Sequence, residues 1–191
     1  MSIVTVVGNP RSGSRTLGAA VAATDAIAAR LGHTGPRDVI DLSALAPELL
    51  LPQSTANVEI ALELLTSASV AVVASPTYKA TYTGLLKAFL DRLPPNALAG
   101  TAALPILVMG DPKHALAVEV HFRPLLVELG AFVPTPGLAL LESELPGDDG
   151  PLARWADRVV PQITVREGAF REGAFREGAF REGAFREGAL R

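Results

Sequence analysis

The chain has 191 residues, 49% of them hydrophobic, with a formal net charge of −3 and no cysteine. This is enough apolar material for one core of ordinary size; the charge gives no ground for a nucleic-acid or anionic-membrane partner, and the missing thiols exclude disulfides and Cys-ligated metals. No apolar run approaches the roughly 20 residues of a membrane span, and Met1-Ser2 leads straight into an apolar strand rather than a signal-like segment, so a cytoplasmic location is expected.

The first predicted strand is Ile3–Val7, and the first helical pattern runs from Ser14 to Leu31. Between them lies Gly8-Asn9-Pro10-Arg11-Ser12-Gly13-Ser14-Arg15-Thr16. A polar glycine loop between a strand and a helix directs free backbone N–H groups at an anion. The hydroxyls of Ser12, Ser14 and Thr16 and the guanidinium groups of Arg11 and Arg15 add to that capacity. Neither the Gly-x-x-x-x-Gly-Lys-Ser/Thr nor the Gly-x-Gly-x-x-Gly pattern is present, so a monophosphate suits the loop better than a pyrophosphate. The plainer alternative is that these residues only cap the helix.

A strand at Arg37–Asp41 and a helix at Asn57–Thr66 follow. The next apolar run, Ser69–Ala74, ends in Ser75-Pro76-Thr77-Tyr78-Lys79 and continues through Gly84 into a helical pattern at Thr83–Leu93, stopped by Pro94-Pro95. A strand ending this way builds a flat ledge at the carboxyl edge of a parallel sheet, where open α/β sheets bind ligands. Backbone groups there could meet the polar edge of a planar cofactor while Pro76 and Tyr78 pack on its ring. Thr77, Lys79 and Gly84 are candidate contacts on the same ledge; a plain turn is the alternative. Strand Ala103–Met109 ends in Gly110-Asp111, a third candidate loop. A helix at Ala115–Leu129, a strand at Phe132–Leu141 and a helix at Pro151–Gln162 complete the pattern.

Five strands alternating with helices imply a doubly wound parallel sheet. A monophosphate loop after the first strand favours the flavodoxin-like order 2-1-3-4-5. His114 and His121 are seven apart with no third ligand on their face, so no metal site is expected. No Gly-x-Ser-x-Gly elbow exists, which argues against a hydrolase.

Residues 1–165 read as one domain and 166–191 as a separate tail. The tail repeats Arg-Glu-Gly-Ala-Phe four times and closes with Arg-Glu-Gly-Ala-Leu-Arg. Glu167 and Arg171, Glu172 and Arg176 stand four apart, which favours a helix by about 0.2–0.5 kcal/mol per pair. One glycine per repeat costs about 1 kcal/mol, so an isolated helix is not favoured. Disorder, or order borrowed from a neighbouring subunit, is expected.

With these loops in view, the chain resembles the NAD(P)H-dependent FMN reductases of flavodoxin-like fold. It is most similar to the branch that supplies reduced FMN to alkanesulfonate-type two-component monooxygenases. Gly8-Asn9-Pro10-Arg11-x-x-Ser14-x-Thr16 resembles the family's Gly-Ser-Pro-Arg-x-x-Ser-x-Ser/Thr. Ser75-Pro76-Thr77-Tyr78-Lys79 through Gly84-x-x-Lys87 to Asp91 and Leu93-Pro94 is the second match, and His114-x-Leu116-Ala117-Val118 through Pro124 the third. The resemblance covers about residues 1–140. It implies FMN and NAD(P)H as cofactors, hydride transfer to flavin N5, and a cofactor site of Asn9, Arg11, Ser14, Arg15, Thr16, Pro76, Thr77, Tyr78, Lys79, Gly84, Gly110 and Asp111. No catalytic side chain is expected, because the cofactor supplies the chemistry. A homodimer or homotetramer and a flavin-dependent monooxygenase partner are implied. A flavodoxin-like electron carrier and a quinone or azo reductase remain alternatives. Two departures stand out: Met109-Gly110-Asp111 replaces the usual Gly-Gly-Ser/Thr, and Val120, beside His121, replaces an aromatic residue at a subunit contact.

Overall fold

The computed structural model describes residues 1–145 and 150–164. Its sheet comprises β1 (Ile3–Val7), β2 (Arg37–Asp41), β3 (Val70–Pro76), β4 (Ala102–Met109) and β5 (Leu138–Leu141), in the order β2-β1-β3-β4-β5. Every neighbouring pair is parallel. Val7 lies level with Asp41 on one side and Ala74 on the other, Pro76 with Val108, and Met109 with Leu141. The carboxyl ends therefore form one continuous edge. The three central strands are buried along their whole length, as their largely apolar runs, broken only by Thr5 and Ser75, require in a sheet covered on both faces.

One face is covered by α1 (Arg15–Leu31) and by a helix over residues 150–164, here α6. Alanines 19, 20, 23 and 28 let α1 lie close to the strands. Thr24 on α1 meets Thr5 on β1 through a buried hydroxyl pair at 2.7 Å, and its oxygen also donates to Ala20 O, so neither polar group is orphaned. Gly32 ends α1 at φ 64°, the left-handed cap that glycine tolerates. α6 packs with Leu152, Trp155, Ala156, Val159, Val160 and Ile163. Trp155 Nε1 donates to Pro136 O at 2.8 Å, and Arg30 of α1 bonds Asp157 and Ala153 O.

The other face carries α2 (Leu42–Leu45), α3 (Ala56–Thr66), α4 (Gly84–Leu90) and α5 (Arg123–Glu128). α2 is absent from the sequence reading; Asp41 caps it by accepting the Ser43 N–H at 3.0 Å. α4 is shorter than the expected Thr83–Leu93: Thr83 is its cap, and beyond Leu90 the chain continues in turn bonds to Leu93.

Two expectations are corrected. The continuous helix expected over Ala115–Leu129 is instead a 3₁₀ turn (Pro112–His114), a π-helical segment (Val118–Phe122) and then α5. Pro124 has no N–H for the Val120 carbonyl, and its ring crowds that carbonyl, so the preceding turn widens. The Arg123 N–H reaches back to Val118 O instead. The strand expected from Phe132 begins only at Leu138. Phe132 makes one isolated bridge to Ala102, and Pro134 and Pro136 then remove two ladder donors. Side chains hold this segment in place: Arg123 bonds Val133 O at 2.5 Å and Pro134 O at 3.1 Å, and Glu119 accepts the Gly137 N–H at 2.6 Å. The domain boundary near 165 and the repeat tail lie outside the described residues.

Candidate active site at the carboxyl edge of the sheet

The first loop is built by its own side chains. Asn9 is buried; its Oδ1 accepts the Arg11 N–H at 2.9 Å and its Nδ2 donates to Thr16 Oγ1 at 3.1 Å. Ser14 accepts the Leu17 N–H at 3.2 Å, as an ordinary N-cap does. Asn9, Ser14 and Thr16 thus shape the loop and start the helix. The two arginines differ. Arg15 pairs with Glu142 Oε1 at 2.9 Å and approaches Glu142 O at 3.4 Å, which ties the loop to the turn after β5. Arg11 is exposed, and among the described residues its guanidinium has no partner.

The ledge after β3 stands beside this loop. Thr77 N–H donates to Val108 O at 2.7 Å, one step past the Pro76–Val108 pair. Tyr78 and Thr81 then face each other across a two-residue turn, with Tyr78 N–H to Thr81 O at 2.9 Å and Thr81 N–H to Tyr78 O at 3.3 Å. Lys79 and Ala80 occupy that turn at φ 53° and 67°. Two left-handed residues in succession make a hairpin turn normally left to Asn-Gly. Holding it with Lys and Ala costs of order 1–2 kcal/mol per residue. Strain of this kind gathers at functional loops. Tyr78 is 42% exposed, and Lys79 and Ala80 are also exposed.

Thr83, which sequence reasoning did not single out, joins the two loops. Its hydroxyl donates to Gly8 O at 2.5 Å and accepts the Leu86 N–H at 3.1 Å. Its own N–H donates to Ser75 Oγ at 2.9 Å. Ser75 and Thr83 are both buried. A buried Ser at a strand end and a Thr before a glycine-led helix were the available signals. Gly8 is also required: a Cβ there would meet Leu86 Cβ at 2.6 Å.

The third loop adds Gly110 and Asp111. Asp111 accepts the Lys113 N–H at 3.0 Å and pairs with Lys113 Nζ at 2.7 Å; these contacts hold its carboxyl below the usual range. Nothing lies within 4 Å of a Cβ placed on Gly110 or Gly84. Packing within the chain therefore does not account for either glycine, and each leaves open room at the edge.

A cavity of about 740 Å³ opens on the α1 face, lined in part by Ser14, Arg15, Gly18, Ala22, Leu140 and Leu152. It touches the first loop only. No residue from Pro76 to Lys79 lines it; the ledge, with Tyr78, Lys79 and Ala80 exposed, is a separate shelf outside this cavity. The cavity also carries polar groups, Ser143, Glu144 and Arg154 among them, but its Arg15 is already paired with Glu142. The shelf side holds the unpaired Arg11 guanidinium and Thr77 hydroxyl, which makes it the stronger candidate site.

The donor set fits a flavin mononucleotide. A free guanidinium stands at the helix-start loop, and a buried hydroxyl without a partner, Thr77 Oγ1, stands on the shelf. Comparison with known proteins agrees. Residues 1–144 match the family model described as NADPH-dependent FMN reductase. The chain is 36% identical over 129 residues to an FMN reductase (NADPH) of Pseudomonas aeruginosa, covering 64% of this chain and 67% of that one. It is 35% identical over 136 residues to an FMN reductase (NADPH) of Escherichia coli, covering 69% and 68%. The NADH-dependent FMN reductase SfnF of Pseudomonas putida is 32% identical over 126 residues, covering 64% and 68%. Among solved structures, the apo form of an NADH:FMN oxidoreductase (EMOB) superposes with a TM-score of 0.75 at 35% identity, over 86% of this chain and 89% of that one. An archaeal flavodoxin at 16% identity and TM-score 0.57 shares the fold. The chain belongs to the NADPH-dependent FMN reductase family.

Proposed function

We propose that the protein reduces FMN with NAD(P)H on the shelf formed by its first and third strand ends, and passes the reduced flavin to a flavin-dependent monooxygenase. The observation that carries this reading is the convergence of two loops, 75 positions apart, on the single residue Thr83. The anion-type loop and the aromatic shelf are thereby held at a fixed spacing, as a phosphate and a ring of one ligand require. Bound flavin supplies the acceptor for the hydride of NAD(P)H.

The chain's own residues bind and orient. In this reading the Arg11 guanidinium and the N–H groups of the first turn of α1 take the phosphate, with Ser14 and Thr16 keeping that turn in shape. Asn9 holds the loop backbone, and Arg15 anchors it to Glu142. Pro76 and Tyr78 flank the ring, Thr77 meets its polar edge, and Lys79 extends from the turn beside it. Gly84 and Gly110 leave room for the ring, and Asp111 fixes the third loop through Lys113. No side chain acts as acid or base. Release of the product is supported by sparse aromatic cover: Tyr82 is turned toward Phe122, with ring centroids 5.5 Å apart, which leaves Tyr78 on the shelf. A cytoplasmic homodimer or homotetramer is the form we assign to it.

Oxidation of NADH and of NADPH, each followed with and without added FMN, tests the reading. FMN-dependent turnover with flavin leaving the protein on gel filtration is expected. Retention of flavin without NAD(P)H turnover would support an electron carrier instead. Faster turnover with quinone than with FMN would point to a quinone reductase.

A further inference from the structure

Thr77 carries the one buried side-chain polar atom without a hydrogen-bond partner among the described residues. The residue as a whole is half-buried, so its hydroxyl is turned away from the part that solvent reaches. The backbone on either side is fixed. Thr77 N–H is bonded to Val108 O at 2.7 Å, and Tyr78 N–H to Thr81 O at 2.9 Å. Continuing the alternation one residue past the strand puts Thr77 on the same face as Ser75, whose hydroxyl donates to Pro76 O and accepts the Thr83 N–H and makes no bond to Thr77. Among the described residues no neighbouring polar group bonds the Thr77 hydroxyl. A buried hydroxyl without a partner is costly, and folded proteins rarely keep one without a reason.

Threonine has three staggered side-chain positions. A turn of about 120° about χ1 exchanges the hydroxyl with the methyl or the hydrogen, with the backbone unmoved. We propose that Thr77 is a ligand-coupled rotor: its hydroxyl is turned inward and unpaired in the free protein, and turns outward to bond the polar edge of a flavin ring on the shelf. This rests on the flavin reading above. A hydroxyl both donates and accepts. Such a partner serves either the carbonyl or the N–H groups of the ring edge, whereas a backbone N–H serves the carbonyls alone. Thr77 is a specificity residue in this account, favouring ring systems with a polar edge over apolar aromatics of equal size.

The test uses Thr77→Val, which keeps the shape and removes the hydroxyl, and Thr77→Ser, which keeps the hydroxyl. Melting temperature without flavin, FMN dissociation constant by fluorescence quenching, and χ1 from three-bond couplings to the Thr77 methyl are read on the full chain. Thr77→Val is expected to melt about 2–4 °C higher than the parent, because the orphaned group is gone. It is also expected to bind FMN about fivefold more weakly. Thr77→Ser should stay within about twofold of the parent's affinity. The parent's couplings should change on adding FMN. A lower melting point for Thr77→Val, unchanged FMN affinity, or unchanged couplings overturns the rotor. If the parent protein itself does not quench FMN, the flavin reading fails first, which separates the two failures.

Discussion

Gly8→Ala tests how closely the first loop and α4 must approach. A Cβ at Gly8 would stand 2.6 Å from Leu86 Cβ, 3.3 Å from Leu86 Cγ and 3.3 Å from Thr83 Oγ1. Carbon atoms pack best at about 3.5–4.0 Å, so the first contact is about 1 Å too short. A rotamer change cannot relieve it, because both atoms are attached directly to backbone. The first turn of α4 must move, and the 2.5 Å bond from Thr83 to Gly8 O must stretch. Overpacking costs about 1–3 kcal/mol and the weakened bond about 1 kcal/mol. A total near 2–4 kcal/mol corresponds to a melting point lower by about 4–16 °C for a domain of this size. Gly18→Ala is the internal control. Gly18 lies inside α1, its Cβ would meet nothing within 4 Å, and alanine is the better helix former there by about 0.5–1 kcal/mol. Thermal and urea unfolding of both variants should therefore shift in opposite directions. The reasoning is refuted if Gly8→Ala unfolds within about 0.5 kcal/mol of the parent, the ordinary scatter of neutral substitutions.

Arg11→Ala is expected to weaken FMN binding tenfold or more with little effect on riboflavin, since a charge-assisted contact contributes about 1.5–3 kcal/mol; equal losses for both ligands would remove the phosphate role. Ala80→Gly should raise stability by about 1 kcal/mol in urea unfolding, because φ 67° suits glycine; a destabilised variant would show that the turn is unstrained. Glu119 has its carboxyl held below the usual range, first by the Arg123 side chain and also by the Gly137 N–H, against the opposing effect of burial. Its stabilising contribution is thus fully present above the unfolded value near 4.3 and is lost as pH falls through the lower folded value. The stability gap between the parent and Glu119→Gln should be constant above about pH 5 and close below about pH 4, when unfolding is measured across that range; a gap that widens in acid contradicts the assignment.

The strand order was legible because apolar runs and helical patterns alternate and the crossovers leave few topologies. What stayed hidden has local causes. Pro124 widens a helix whose hydrophobic spacing gives no warning, and Pro134 and Pro136 delay β5 although Phe132 and Val133 look like strand residues. At the site, residue types could be read from the sequence but partners could not. Arg15 looked as available as Arg11, yet it is taken up by Glu142, 127 positions away. Thr83 looked like a helix start and proved to be the tie between two loops. Gly8 was noted only as part of a loop, because a short distance to Leu86 leaves no trace in spacing.

The docking of α6 has a consequence for where the folding unit ends. The family match stops at residue 144, six positions before the helix begins. Yet Leu152, Trp155, Val159, Val160 and Ile163 are nearly fully buried, against the same sheet face that α1 covers. At about 1.5–3 kcal/mol for each large apolar side chain, their burial is comparable to the 5–15 kcal/mol that holds a typical domain together. A chain cut at residue 144 would keep every residue of the shelf and leave one flank of the sheet bare. The solved NADH:FMN oxidoreductase, which superposes over 86% of this chain, reaches past that point, so the border of the folding unit lies beyond the border of the family match.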